Sequence, residues 1–123
     1  MATKKKILLI EDEESLRSVM RIALEERGFE VIIAIDGEEG IAAIRAGTAN
    51  LVLLDVILPK MDGYEILKTL TLKEKKQAPI IIFSVSTEPL SRKKLRELGV
   101  ADWIMKSEIT PDQVIDKINQ YTT

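Results

Sequence analysis

The sequence predicts an α/β fold: a parallel five-stranded sheet with helices on both faces. Three observations carry this. Short apolar runs recur at Lys6–Ile10, Leu51–Leu54 and Pro79–Phe83, and such runs bounded by turn residues read as strands buried on both faces. Segments with apolar residues at helical spacing lie between them, opened by capping residues and closed by glycine. The strand–helix alternation occurs five times, about 25 residues per unit over 123 residues, which is the pattern of a wound parallel sheet.

Bulk properties narrow the function. A chain of 123 residues is read as a single domain, 1–123, large enough for a proper core. Apolar residues are 46% and charged residues 31%, which places it among soluble globular proteins. The net charge of -2 supplies no basic field, so direct nucleic-acid or membrane binding is not expected. Cysteine and histidine are absent. That removes disulfides, thiol chemistry and any histidine base or metal ligand on this chain, and suits a reducing, cytoplasmic setting. Lys4–Lys6 resemble the start of a secretion signal, but only Ile7–Ile10 follow before Glu11–Glu14, too short an apolar stretch. No run approaches the length of a membrane span.

Each element follows from its residues. Lys6–Ile10 forms the first strand and runs into Glu11–Glu14. Leu16, Val19, Met20, Ala23 and Leu24 then define one helical face, closed at Arg27-Gly28. Glu30–Ala34 is a short strand, placed at an edge. Asp36 with Glu39 makes a capping-box pattern, Ile41 and Ile44 face inward, and Gly47 ends that helix. Residues 51–55 are the central strand. Asp62 with Glu65 opens a helix with Ile66, Leu67 and Leu70 inward and a polar end at Lys73–Gln77. The strand Pro79–Ser84 leads to a helix over 88–98, with Leu90, Leu95 and Leu98 as a thin apolar face and Gly99 as its stop. Asp102–Lys106 is the last strand. Thr110, Pro111 and Gln113 cap a final helix with Val114, Ile115 and Ile118 inward. Right-handed crossovers leave few topologies. The flavodoxin-like (βα)5 three-layer sandwich, strand order 2-1-3-4-5, is adopted by analogy with proteins of that kind.

In such a sheet, ligands bind beyond the carboxyl ends of the strands. Those ends carry Glu11 and Asp12, Asp55, Ser84 and Lys106. With strand one beside strand three, three carboxylates converge, while Ser84 and Lys106 approach from the other side. Three negative charges against one positive leave a double deficit that a divalent cation cancels. Carboxylate oxygens without histidine or cysteine are hard ligands and suit Mg²⁺ or Mn²⁺. Mg²⁺ takes few carboxylates and completes its shell with water and phosphate, so the expected ligand is a phosphoryl group. Asp55, central among the acids, is the candidate nucleophile, because a carboxylate can carry phosphoryl as an aspartyl-phosphate.

Glu11-Asp12, Asp55 with Pro59 and Asp62-Gly63, Ser84, and Lys106 after Gly99-Val-Ala-Asp-Trp103 stand in an order that resembles the receiver domain of two-component response regulators, over nearly the full chain. The resemblance implies a phosphorylation-dependent signalling switch rather than an enzyme with a separate substrate. Asp55 would accept phosphoryl from a phosphohistidine on a histidine kinase or phosphotransfer protein. Asp12 and Asp55 would ligate Mg²⁺ with the backbone carbonyl of Ile57, and Glu11 would help through water. Lys106 would neutralise the acyl phosphate, Ser84 would hydrogen-bond a phosphoryl oxygen, and Trp103 would be the aromatic that changes rotamer. The output face would be the fourth helix (88–98), the fifth strand and the fifth helix. The same face would serve any dimer; the output partner and oligomeric state stay open.

Three positions depart from the family pattern. Val85 stands where a smaller residue is usual, narrowing access to the phosphoryl site. Ser107 replaces a proline that is often cis, so the Lys106–Ser107 bond is expected trans, since cis costs about 3 kcal/mol without proline. Trp103 replaces the commoner Tyr or Phe, adding bulk and removing the phenol.

Plainer readings stand beside these. Glu13 and Glu14 suit a solvated helix start. Ser84 and Lys106, each alone, would be a loop hydroxyl and a surface lysine; Trp103 serves as well for packing as for switching. Pro59 and Asp62-Gly63 have a sufficient role as turn and cap. The basic run Arg92–Arg96 is either a solvated face or a partner surface. Of the competing functions, a haloacid-dehalogenase-type enzyme needs a second aspartate where this chain has Ile57. A phosphorylation-independent interaction module on the same fold is the alternative, favoured by Val85 and Ser107 and opposed by the complete acid set. Glycine-rich dinucleotide and P-loop motifs are absent.

Overall fold

The computed structural model describes residues 4–55, 58, 61–84, 92–105 and 110–122, with Ser84 and Arg92 described by backbone alone. The strands are β1 (Lys6–Ile10), β2 (Glu30–Ala34), β3 (Leu51–Leu54), β4 (Ile80–Ser84) and β5 (Asp102–Met105). All four pairings are parallel and the order is β2-β1-β3-β4-β5, as expected. The helices are α1 (Glu14–Glu26), α2 (Gly37–Ala46), α3 (Gly63–Thr69), α4 (Leu72–Lys76), α5 (Arg92–Glu97) and α6 (Pro111–Thr122). Among the described residues no helix is long and apolar enough to cross a membrane.

Strand alternation divides the interior into two cores. Leu8, Ile10, Val52, Leu54, Ile80 and Ile82 face Ile41, Ile44, Ile66, Leu67 and Leu95 of α2, α3 and α5. Ile7, Leu9, Leu51, Leu53, Ile81 and Phe83 face Met20 and Leu24 of α1 and Val114, Ile115 and Ile118 of α6. Residues of β1 and β3 are therefore buried on both sides, which is why their sequence is continuously apolar rather than alternating. Each such side chain gives about 1.5–3 kcal/mol on burial. This stiff centre holds up the strand ends.

The local signals are realised with two corrections. Asp36 and Asp62 accept from the amides of Glu39 and Glu65, each at 2.9 Å. Thr110 and Gln113 complete a reciprocal box at 3.3 and 2.8 Å. Gly47 closes α2 at φ 72, a left-handed conformation glycine adopts without strain. Val19, however, is not on the inner face of α1; it is 52% exposed, and Ile22 on the same surface is 58% exposed. The burying face is narrower, formed by Met20 and Leu24 with Leu16 and Ala23 at its flank.

The second correction concerns the segment after Asp62. It is two helices, not one. The backbone turns extended at Leu70, whose side chain is buried. Thr71 then opens α4 with a complete capping box: its hydroxyl accepts from the Glu74 amide at 3.1 Å, and Glu74 accepts from the Thr71 amide at 2.8 Å. The polar stretch Lys73–Gln77, expected as the end of the preceding helix, is therefore a separate short helix with its own cap. Lys75 of α4 donates to the carbonyls of Leu67 at 3.1 Å and Leu98 at 2.8 Å. Its stem lies 3.0 Å from where a Cβ on Gly99 would stand, and Gly99 has φ 87. One ammonium thus ties the ends of α3 and α5 together. The start predicted for the helix over 88–98, including Leu90, lies outside the described residues.

β5 is fastened to α6 at Asp102. Its carboxylate accepts from the Trp103 amide at 2.7 Å, from the Tyr121 hydroxyl at 2.8 Å, and pairs with Lys117 at 3.1 Å. Burial pushes this carboxyl up, but the three donors outweigh it and hold its pKa below the ordinary 3.8. The Tyr121 phenol, donating to that carboxylate and partly desolvated, is raised above its ordinary 10.0. A lowered Asp102 stabilises the fold above its unfolded-chain pKa, and that contribution is lost as pH falls through the folded value. A raised Tyr121 stabilises below its unfolded-chain pKa and loses this as pH rises through the folded value. Asp102→Asn should therefore cost about 1–2 kcal/mol at neutral pH and flatten the loss of stability below pH 3.8. Urea denaturation across pH measures this; an Asp102→Asn curve parallel to wild type down the acid limb would contradict the assignment.

Candidate functional site

The acidic site is built by the ends of β1 and β3. Both strands stop one residue before a carboxylate. Glu11 follows Ile10, and its amide donates to the Ala34 carbonyl at 3.0 Å. Asp55 follows Leu54, and its amide donates to the Ile10 carbonyl at 3.1 Å. The ladder therefore continues one bond past each strand and fixes both backbones. Asp12 is the next residue along the β1–α1 loop.

Carboxylate oxygens of Glu11, Asp12 and Asp55 all lie within 4.8 Å of one another. Glu11 is 1% exposed and Asp55 6%, whereas Asp12 is exposed. The cluster is thus lined by protein below and open above, at Asp12. Three hard oxygen donors at this separation fit a small divalent cation that keeps several waters. Cysteine and histidine, the usual ligands of softer metals, are absent from the chain.

The remaining sequence-predicted residues fall as follows. Ser84 is the last residue of β4, paired with Met105 of β5, so its backbone lies at the same edge of the sheet. Trp103 lies on β5 opposite Ile82 and packs against the core that contains Leu95 of α5. Its indole Nε1 is buried without a hydrogen-bond partner among the described residues. Ile57, Lys106, Val85 and Ser107 lie outside the described residues, as do Pro59 and the Lys106–Ser107 bond. Asp62 and Gly63 act as cap and first turn of α3. One residue escaped the sequence reading. Arg17, in the second turn of α1, donates to the backbone carbonyls of Glu11 at 3.2 Å and Asp12 at 2.8 Å. Side chain-to-carbonyl bonds leave no residue-type pattern, so only a basic residue shortly after an acidic loop could have hinted at it.

A wound parallel sheet with a carboxylate cluster at its switch point defines a class of ligand-responsive α/β domains, and comparison with known proteins narrows it. The chain belongs to the response regulator receiver domain family, whose model matches residues 7–119. It is 38% identical over 102 residues to the alkaline phosphatase synthesis transcriptional regulatory protein PhoP of Bacillus subtilis, covering 83% of this chain and 42% of that protein. The chain thus spans about two-fifths of the length of such curated relatives. Among solved structures, chemotaxis protein CheY4 of Vibrio cholerae superposes with a TM-score of 0.85 at 25% identity, covering 97% of this chain and 99% of that one. TrrA of Thermotoga maritima, solved in complex with Mg²⁺-BeF, gives 0.81 at 28% identity, covering 95% and 98%. The chain is a receiver domain of the two-component response regulator type, and its relatives are named as regulators.

The proximity of the three carboxylates has a direct energetic consequence. Two charges about 4 Å apart repel by about 1 kcal/mol at the dielectric of water and about 4 kcal/mol near a protein surface. In buffer free of divalent cations, Asp55→Asn should raise the denaturation midpoint relative to wild type. A lower midpoint would mean that Asp55 is net stabilising in the metal-free protein.

Proposed function

We propose that the chain is a phosphorylation switch, residues 1–123 acting as one receiver unit in the cytoplasm, with Asp55 as phosphoryl acceptor. The observation that carries this reading is the convergence of three carboxylates at the β1 and β3 ends, with Asp55 held rigidly at its centre. An Asp55 carboxylate oxygen attacks the phosphorus of a phosphohistidine on a histidine kinase or phosphotransfer protein. The P–N bond breaks, its electron pair returns to the imidazole, and the phosphoryl remains on Asp55 as an acyl phosphate. Asp12 and Asp55 would hold Mg²⁺, Glu11 would support it, and the family resemblance adds the backbone carbonyl of Ile57, which lies outside the described residues. When bound, the ion offsets the carboxylates and the charge of the phosphoryl oxygens. The solved Mg²⁺-BeF complex of TrrA supports the same use of this pocket.

The phosphoryl adds charge and acceptor oxygens. Lys106 pairs with that charge, and the Ser84 hydroxyl donates to one oxygen. The helix including α5, the strand β5 and α6 form the face that changes. Two observations support this direction. Trp103 leaves a buried indole N–H unpartnered among the described residues, so no hydrogen bond to them opposes a change of rotamer. Lys75 holds the end of α5 at Leu98, which favours movement at the opposite end of that helix. A charge-assisted bond of about 1.5–3 kcal/mol shifts a two-state equilibrium roughly ten- to a hundredfold.

The test is incubation with Mg²⁺ and acetyl phosphate followed by intact-mass measurement. Wild type should gain one phosphoryl mass, Asp55→Asn should gain none, and Lys106→Ala should give a lower yield. An equal increment in Asp55→Asn would remove Asp55 as the acceptor. A folded, Mg²⁺-binding wild type that stays unmodified would favour the phosphorylation-independent interaction module.

A further inference from the structure

We propose that Arg17 is a positioning residue that sets the cation affinity of the acidic site by gripping the backbone of the β1–α1 loop; this deepens the switch reading and rests on it. The loop between β1 and α1 carries Glu11 and Asp12. Sheet pairing ends with the Glu11 amide. Helix α1 starts at Glu14, and the N-cap residue Glu13 makes no side-chain cap bond. The usual device for fixing the entry to a helix is therefore missing at the point where Asp12 must be held. Arg17 supplies the substitute. Its Nη1 donates to the carbonyls of both Glu11 and Asp12 at 3.2 and 2.8 Å, while its own amide donates to the Glu13 carbonyl at 3.0 Å. The amide bond is the first of the helix ladder, while the two guanidinium bonds are particular to arginine at this position. Rotation of the Asp12 peptide, which would swing its carboxylate away from Asp55, breaks the shorter of the guanidinium bonds.

Two effects of Arg17 on a cation have opposite signs. Its positive charge disfavours a neighbouring Mg²⁺. Its grip favours binding, because the carboxylates are held together before the ion arrives. The hydrogen bonds go to carbonyls rather than carboxylates, so the donor oxygens stay available, and the grip is the larger effect. Arg21 is the control. It lines the same groove between α1 and β2 and carries the same charge, but it pairs with Glu25 at 3.5 Å.

The experiment is calorimetric Mg²⁺ titration of wild type, Arg17→Ala, Arg17→Lys and Arg21→Ala, with metal-free denaturation midpoints as a folding check. Arg17→Ala should weaken Mg²⁺ binding about tenfold, the lower end of what outer-shell partners cost. Arg17→Lys, with the charge but not the fork, should fall between it and wild type, and Arg21→Ala should match wild type or bind slightly tighter. Acetyl phosphate labelling should need proportionately more Mg²⁺ in Arg17→Ala yet reach the wild-type plateau. Mg²⁺ binding in Arg17→Ala that equals or exceeds wild type overturns the proposal, as does an equal loss in Arg21→Ala. A wild type that binds no Mg²⁺ would instead strike at the switch reading itself.

Discussion

Like charge held at close range is the constraint on which this molecule turns. Glu11, Asp12 and Asp55 share a space in which their oxygens lie within 4.8 Å, and two of the three are buried. A chain does not keep such an arrangement for its own stability. It persists because β1 and β3 are buried on both faces and the ladder continues into Glu11 and Asp55. The cores on either side of the sheet provide far more stabilisation than the repulsion removes.

The opposite half of the sheet edge is built differently. β5 is anchored at its start: Asp102 is fastened to Tyr121 and Lys117 of α6, and Lys75 fastens the end of α5 just before it, at Leu98. Trp103, the next residue, packs against the core that contains Leu95, with an indole N–H unpartnered among the described residues. An acidic half held by ladder hydrogen bonds stands beside a half anchored at the start of its edge strand. Such an asymmetry suits a domain in which charge added at one strand end is read out at another.

Much of this was legible in residue patterns. Continuous apolar runs announced doubly buried strands, and the acids after Ile10 and Leu54 announced the site, because a buried strand that ends in carboxylate needs a reason. Caps at Asp36, Asp62 and Thr110 were read correctly, since capping is local chemistry. What escaped was tertiary. Val19 has the right spacing for the core, but α1 buries a narrower stripe than that spacing allows. The break at Leu70 depends on that side chain staying buried while the backbone turns, with Thr71 taking over as a cap. Arg17 and Lys75 act through backbone carbonyls, and such bonds have no signature in residue type.

The central claim is that the acid cluster is kept for a divalent cation. It is tested most directly by thermal denaturation in Mg²⁺ against NaCl of equal ionic strength, for wild type and Asp12→Asn. The account predicts that Mg²⁺ raises the wild-type midpoint well beyond the salt control and that Asp12→Asn loses most of that gain. A gain that NaCl reproduces, or that Asp12→Asn retains in full, would contradict it.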